Sequence, residues 1–438
     1  VLKGRVDGLE KKVGQLEATQ FSTTTKLQGD TFWSLGAPSF GGQRGNLING
    51  TTRNSAAAGA MVFNYDLRLN LNTSFTGKDL LYTRLRSGNY GNSAFNGQPY
   101  SLMALDRAFA PTGGANVFNL DRLYYRFPVG SEFTAMVGPR ARNTEFLAIS
   151  PSYYGDFSGL DFFTLHGAPG TYNKATGGMA GLMWKQNVKK GNPFFAISTS
   201  YVAPNADNSN PGAGGLFTDS SNGSWLTQLG YQAQQWKATF GWRYGQCSSA
   251  ANQSVNRRGT QAAVAAEPCQ LASNNYTNNF ALGLAWQPKK SGTIVPSISA
   301  GWGYTSYTYG AQAAPALLGA NTGVTAAGIS NALQPTNIAA TQSWTVGLQW
   351  KDAFIKGNSA GMAVGQPSYV TSTRNGATPF DGNYAWEWWY KFQVSDNISI
   401  TPMLFYLSNP SSAGVRNTAT TVTGANVFGG ILAAQFKF

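Results

Sequence analysis

Apolar residues recur at every second position along most of this chain. In the stretch FNYDLRLNLNTSF, large apolar side chains from Phe63 to Leu71 share one face, and polar side chains from Asn64 to Asn72 share the other. The last twelve residues, VFGGILAAQFKF, alternate in the same way and end on an aromatic residue. A period of two is that of a β-strand, whose successive side chains point to opposite faces. The pattern therefore predicts an all-β protein.

About sixteen such strands fit between residues 21 and 438, and short connections alternate with long ones. Trp residues fall at strand ends on the apolar face, as at Trp33, Trp286 and Trp350. An even strand number, alternating turn lengths and aromatic girdles are typical of barrels that span an outer membrane. We therefore predict a transmembrane antiparallel β-barrel with long extracellular loops and a periplasmic N-terminus. The strand near 117–127 changes phase midway, which predicts a β-bulge.

The composition agrees with a barrel that is apolar outside and polar inside. Charged residues make up 12% of the chain, against roughly 25% in an average globular protein, yet the mean hydropathy is only −0.23. No run approaches the ~20 apolar residues of a membrane-spanning helix, which leaves a closed barrel as the way to cross a bilayer. The formal net charge is +13. The basic residues form no runs and no helical recognition motif, which argues against a nucleic-acid partner.

The first twenty residues have a different pattern. Apolar residues are spaced alternately four and three positions apart, at Leu2, Val6, Leu9, Val13 and Leu16. Such a seam, with Val at a and Leu at d, favours a dimeric coiled coil; the alternative is an amphipathic helix that lies on its own domain. We assign residues 1–20 to a periplasmic coiled-coil helix and residues 21–438 to the barrel domain. The chain starts without Met or a signal peptide, so we expect further residues upstream of Val1.

The junction RVDGLEKKVGQLEATQFSTTTKLQGD resembles that of the cyanobacterial major outer-membrane porins. These proteins join an S-layer-homology domain to a barrel of the OprB-type carbohydrate-porin class. The resemblance implies a homotrimer, against the dimer that the seam favours, and a C-terminal Phe438 that acts as a barrel-assembly signal. It also implies that cell-wall polysaccharide is bound only through the S-layer-homology domain, which residues 1–438 lack.

Arginines occur in two R-x-R strings, TRLRS and GPRARN. In a strand each string places both arginines on one face, so that Leu85 and Ala141 take the opposite face. We predict a basic wall in the pore formed by Arg68, Arg84, Arg86, Arg122, Arg126, Arg140 and Arg142. The alternative is that a water-filled lumen simply tolerates solvated arginines.

The long connection after the fifth strand, residues 142–176, mixes aromatic and acidic side chains. In general porins, which this chain resembles, that loop folds inward and narrows the pore. We predict that the constriction is formed by Glu145, Tyr153, Tyr154, Asp156, Asp161, Phe162 and Phe163. The alternative is a loop folded over the mouth or against a neighbouring subunit.

Other chemistry is sparse in this sequence. Cys247 and Cys269 flank one polar stretch, which favours a disulfide in an oxidising compartment; two free thiols are the alternative. The single histidine, His166, has no obvious orienting partner, so we predict no catalytic residue and no enzyme. No metal-ligand cluster or phosphate-binding glycine loop is found, and we expect no metal and no cofactor.

These observations predict an outer-membrane porin in contact with lipid. The leading hypothesis is passive diffusion of inorganic ions and small hydrophilic solutes, with a modest anion preference from the arginine wall. The first alternative is a saccharide-selective channel, in which loop aromatic residues stack on sugar rings. The second is a structural tether between the outer membrane and the cell wall.

Overall fold

The computed structural model describes residues 24–42, 58–247, 258–260, 263–264, 275–289, 294–308, 338–374, 381–410 and 425–438. The strands are β1 Thr25–Gly41, β2 Val62–Thr73, β3 Leu80–Gly88, β4 Asn119–Val129, β5 Phe133–Arg142, β6 Thr176–Lys185, β7 Phe194–Ala203, β8 Ser224–Gln232, β9 Trp236–Cys247, β10 Asn275–Trp286, β11 Ser297–Thr308, β12 Ile338–Lys351, β13 Ser359–Thr373, β14 Tyr384–Ser395, β15 Ile398–Ser408 and β16 Asn426–Lys437. Short 3₁₀ helices cover Ala94–Asn96, Ser101–Met103, Asn143–Phe146 and Asp161–Leu165. No helix among these residues is long and apolar enough to cross a membrane.

The sixteen strands form one closed antiparallel barrel, in which each strand pairs with its neighbours in sequence and β1 pairs with β16. The predicted fold class is confirmed. Short connections gather at one end, here called the turn end, and long connections gather at the other, the loop end. Phe438 closes the ring at the turn end, because its backbone N–H donates to Gly29 O at 2.9 Å and its aromatic ring covers Gly29.

The outer face of the barrel is apolar and the inner face is polar, as the alternation predicts. On β14, for example, Trp388 and Phe392 are exposed on the outside, whereas Glu387 is completely buried on the inside. Large exposed rings form the outer surface on many strands, including Trp33, Trp225, Trp236, Phe240 and Phe428. Lipid can replace water around such a surface, since every strand of a closed barrel has its backbone hydrogen bonds satisfied.

Two bulges interrupt the alternation on neighbouring strands. On β4, Arg122 pairs with Arg84 and Leu120 pairs with Leu85, so Asp121 is an extra residue between them. This confirms the bulge predicted from the phase change. On β5, Gly138 pairs with Met179 and Ala141 pairs with Gly177, which again leaves one extra residue on the bulged strand. A bulge moves every following side chain to the opposite face.

Two predictions from the sequence concern residues outside those that the structure describes. The coiled-coil seam from Leu2 to Leu16 is one, and the disulfide is the other, since Cys269 and the side chain of Cys247 are not described. Both stay predictions.

Candidate functional site: the lumen

The connection after β5, residues 143–175, lies inside the barrel. Its backbone N–H groups donate to side chains on the inner wall: Ile149 to Gln228 on β8 at 3.0 Å, and Tyr153 to Ser299 on β11 at 2.9 Å. Gly155 N donates to Gln349 on β12 at 2.8 Å. A loop of this length would leave many polar backbone groups unpaired away from water, and the wall side chains satisfy them. We call residues 143–175 the inward loop.

The inward loop continues across to the far wall. Glu387 on β14 accepts a hydrogen bond from the Tyr154 hydroxyl at 2.6 Å and another from Leu160 N at 2.8 Å. Ser343 on β12 donates to Gly167 O at 2.8 Å. Glu387 was one polar residue among many in the sequence, and no sequence signal marks it as an anchor.

A second segment, residues 89–118 between β3 and β4, also folds inward and was not predicted. Tyr90, Phe95 and Met103 are completely buried and belong to the same apolar cluster as Phe405 and Val427 on the inner wall. This segment joins the inward loop through Asp161 N, which donates to Ala104 O at 2.9 Å. Its aromatic and apolar composition was the signal that could have identified it, because a solvated loop does not need such residues.

The first arginine group surrounds one buried carboxylate. Asp66 on β2 is completely buried and pairs with Arg68 at 2.9 Å, with Arg86 at 2.6 Å and with Arg107 at 2.7 Å. Arg107 comes from the second inward segment and reaches Asp30 on β1 at 2.7 Å as well. Arg68 and Arg86 therefore face inward as predicted, but carboxylates that were not predicted hold them.

The second arginine group surrounds Glu145 of the inward loop. Arg122 pairs with Glu145 at 2.9 Å and with Asp121 at 3.0 Å. Arg84 lies 3.5 Å from Asp121 and 3.8 Å from Glu145. Across both groups, five guanidinium groups face four carboxylates, which leaves one formal positive charge. We call these nine residues the arginine–carboxylate network.

The predicted inward orientation of Arg140 is wrong, whereas the charge of Arg142, the last residue of β5, acts on Asp121 of the arginine–carboxylate network. Ala141 was expected to point outward, but it is completely buried in an inner cluster with Tyr82 and Met136. The bulge on β5 causes the change, because the added residue reverses the faces that follow it. Arg140 therefore shares the outer face with its partner Leu123.

Arg126 of the same predicted wall remains on the inner face. Its register partner is Met136, a member of the inner cluster, and the residue is half-buried.

The aromatic residues of the inward loop are packed against other side chains to different degrees. Phe162 and Phe163 lie within the inner apolar cluster, so they do not form an open aromatic track along the pore. The Tyr154 hydroxyl also accepts from Trp389 Nε1 at 2.7 Å. Tyr153 is only half-buried, and its hydroxyl finds no partner among the described residues. Asp156 is exposed at the tip of the loop.

A cavity of about 230 Å³ opens between the inward loop and the wall. Its lining combines hydroxyl groups with aromatic faces: Ser150, Ser152, Tyr153, Tyr154, Phe157, Ser158, Phe163 and Thr164 are among the residues. His166 and Glu387 complete one side.

A further ion-pair junction ties three connections together. Lys174 pairs with Asp106 and Asp161, and Arg258, from the connection after β9, pairs with Asp161 at 2.7 Å. Burial alone would raise the pKa of the Asp106 carboxyl, but the Lys174 ammonium outweighs it, so the pKa is lowered. Asp161 is therefore a structural ion-pair partner at this junction.

His166 has the surroundings of a packed residue. Burial, followed by repulsion from Lys174 and Lys237, lowers its pKa to about 4, so the ring is neutral at pH 7. Glu387 lines the same cavity, but its carboxylate already accepts hydrogen bonds from Tyr154 and Leu160 of the inward loop. Among the described residues, no group of three or more His, Cys, Asp or Glu side chains is placed to hold a metal ion.

The sequence is similar, over most of its length, to those of two cyanobacterial proteins. It is 28% identical over 430 residues to an uncharacterized protein of Nostoc sp., covering 93% of this chain and 66% of that protein. It is 29% identical over 428 residues to an uncharacterized protein of Synechocystis sp., covering 96% of this chain and 71% of that protein. The chain thus spans about two thirds of the length of these relatives.

Solved porin structures share the fold. The high-pH structure of Pseudomonas putida OprB superposes with a TM-score of 0.55 at 12% identity, covering 97% of both chains. Salmonella typhi OmpF in complex with daunomycin gives a TM-score of 0.51 at 11% identity, covering 94% of this chain and 97% of that chain. The family described as "Carbohydrate-selective porin, OprB family" matches residues 1–438. The chain therefore belongs to the OprB family of carbohydrate-selective porins.

Proposed function

We propose that this protein is a saccharide-selective diffusion channel of the outer membrane. The observation that carries the proposal is the charge balance of the arginine–carboxylate network, together with the family. A wall of five arginines would select anions, but four carboxylates within ion-pair distance cancel most of that field. A lumen with little net charge at this level suits neutral polar solutes better than it suits ions.

The cavity beside the inward loop supports the same choice. Sugars present hydroxyl groups at their edges and C–H groups on their faces, so hydroxyl and aromatic side chains together match them. The volume of about 230 Å³ is below the roughly 300–1,000 Å³ of pockets for drug-sized ligands, which fits a single sugar ring. Tyr153 offers a partly exposed ring and a buried hydroxyl that has no hydrogen-bond partner among the described residues.

The test is whether sugar flux saturates. In planar bilayers, we expect a neutral monosaccharide to reduce the ion current through the reconstituted protein with a saturating concentration dependence. Replacement Tyr153→Ala should weaken the effect more than Tyr153→Phe, which retains the ring. Tyr231→Ala serves as the matched control, because Tyr231 packs against Phe195 on the outer face. Flux that rises linearly with sugar concentration in the wild type would contradict the proposal and would favour a general diffusion pore instead.

We infer further that the turn end faces the periplasm, since β1 starts and β16 ends there, as in outer-membrane barrels with short periplasmic turns. A homotrimer and an assembly role for Phe438 are part of the same proposal. Deletion of residues 1–20 should leave oligomeric barrels, because the heptad seam is too short to associate alone. A deletion that yields only monomers would assign oligomerisation to the seam.

The tether to the cell wall is the second candidate and would require a wall-binding segment outside residues 1–438. It predicts that purified residues 1–438 do not bind cell-wall polysaccharide in a pull-down.

A further inference from the structure

Most of the described lysines lie at one end of this barrel. Of the lysines that the structure describes, all except Lys174 lie at the turn end: Lys26, Lys78, Lys185, Lys189, Lys190, Lys237, Lys289, Lys351, Lys356, Lys391 and Lys437. The arginine–carboxylate network lies deeper in the barrel. The turn-end mouth therefore carries a separate positive field.

Four of these lysines lie on inner-face positions, on β9, β12, β14 and β16, so that at least one other strand separates each from the next. Lys237 pairs in register with Ala285, which is buried on the inner face. Lys351 follows two positions after Gln349, whose side chain holds the inward loop. Lys437 follows two positions after Gln435, which donates to Asp30 at 3.0 Å.

The fourth, Lys391, is tied to the inward loop. It points toward the Asp156 carbonyl oxygen, at 3.5 Å. We call Lys237, Lys351, Lys391 and Lys437 the turn-end lysine cluster.

Two of the lysines are close to each other, and a third lies against Tyr153 of the inward loop. Ser359 on β13 pairs with Lys351 on one side and with Lys391 on the other, so their Cα atoms are two strand spacings apart, about 10 Å. Lys237 lies with its ammonium 4.0 Å from the centre of the Tyr153 ring.

Carboxylates do not neutralise this cluster as they do the arginines. No ion pair is found for any of its four lysines within the part of the chain that the structure describes. The Asp156 carboxylate is close enough to attract Lys391, and it is the one acidic group that acts on that lysine. Asp30 on β1 is the register partner of Lys437 and is a second nearby carboxylate. Four ammonium groups against these two carboxylates leave an excess of two positive charges.

Two neutral donors face the same region and lack acceptors. The Gln349 side chain is 1% exposed; its oxygen accepts from Gly155 and Asp156, whereas its amide nitrogen finds no acceptor among the described residues. The Tyr153 hydroxyl is likewise unpaired. A buried donor without an acceptor is costly, and a ligand with several oxygen atoms would remove that cost.

We propose that the turn-end lysine cluster, with Gln349 and Tyr153, binds small soluble polyvalent oxyanions of the phosphate type. Lysine is a compact point charge that binds phosphate well, and several lysines at a narrow mouth raise the local concentration of anions. The cluster faces the lumen, so phospholipid headgroups around the apolar outer face do not reach it. This site goes beyond the proposed saccharide channel and does not depend on it.

The test uses inorganic phosphate and pyrophosphate as probes in planar bilayers of zwitterionic lipid at low ionic strength. We expect pyrophosphate to block the wild-type current more strongly than chloride or phosphate at equal concentration. The variant Lys237→Gln/Lys351→Gln/Lys391→Gln should require at least about tenfold more pyrophosphate for half-block. The control Lys189→Gln/Lys190→Gln/Lys289→Gln removes equal charge from turn tips and should keep wild-type block. Salt near 1 M, with a Debye length of about 3 Å, should abolish block in the wild type.

Wild-type block by pyrophosphate that survives the cluster variant would overturn the proposal. Equal weakening by the cluster variant and the control would overturn it as well, since general charge would then explain the effect. If the triple variant does not assemble, the single change Lys351→Gln is expected to shift half-block in the same direction, and no shift would count against the site. Saturable sugar flux is measured separately, so failure of either proposal leaves the other interpretable.

Discussion

Asp66 holds the first part of the arginine–carboxylate network together, and its replacement by Asn should destabilise the barrel strongly. The carboxylate is completely buried and pairs with Arg68, Arg86 and Arg107 at 2.9, 2.6 and 2.7 Å. Asn has nearly the same shape, so the change removes the charge and leaves the packing. Removal of one partner from a buried ion pair leaves an uncompensated charge and costs about 3–5 kcal/mol.

The loss should fall within this range, because three guanidinium groups then share only Asp30. Urea unfolding of the barrel in lipid vesicles, followed by tryptophan fluorescence and by the heat-dependent shift in gel mobility, measures the free energy of unfolding. Asp207→Asn is the matched control, since Asp207 lies exposed in the connection after β7. A loss below about 1 kcal/mol, as for an exposed ion pair, would refute the assignment of Asp66 as the centre of the network.

The same variant also tests the charge balance of the pore. It raises the formal charge of the network from one to two, so the zero-current potential across a KCl gradient should move toward anion preference. An unchanged potential in a correctly folded variant would show that the network does not govern ion selectivity.

Three further predictions concern the inward loop and the cysteines. His166 has a pKa lowered to about 4 from 6.5, so the folded state favours the neutral ring; stability from this group is complete above pH 6.5 and is lost as pH falls toward 4. Current noise should therefore increase on acidification through that range in the wild type, but not in His166→Asn, which tolerates the positive φ of 53° at this position. A Cβ atom at Gly301 would overlap the backbone oxygen of His166, so Gly301→Ala should displace the loop from β11 and change single-channel conductance, whereas Gly91→Ala, with nothing within 4 Å, should not. Mass spectrometry of non-reduced peptides should find Cys247 linked to Cys269; two free thiols would contradict the disulfide.

The strands were predictable from the sequence because a β-barrel imposes a local rule. Each strand contacts lipid on one face and the lumen on the other, so the two-residue period appears in every segment regardless of its partners. The β4 bulge was predictable for the same reason, since the phase change at Asp121 is visible in the chain itself. The inward orientation of Arg68, Arg84 and Arg86 follows from this rule as well.

Prediction from the local pattern failed where pairing with a neighbouring strand decided which way a side chain points. The GPRARN string alternates normally, yet the register with β6 adds a residue on β5 and turns Ala141 inward. The string contains no sign of this, because a bulge is defined by two strands. The composition of the loop similarly predicted that Phe162 and Phe163 form part of the constriction, but packing against the far wall buries them.

The sequence by itself determined the barrel, its apolar outer and polar inner faces, and the positions of its basic residues along each strand. Only the tertiary structure decided which of those charges remain uncompensated. Arg107 reaches Asp66 from a segment 41 residues away, and Glu145 reaches Arg122 from the inward loop, whereas the turn-end lysines meet few carboxylates. Electrostatic interactions depend on distance in space, and closure of the barrel sets those distances between residues that are far apart in the chain.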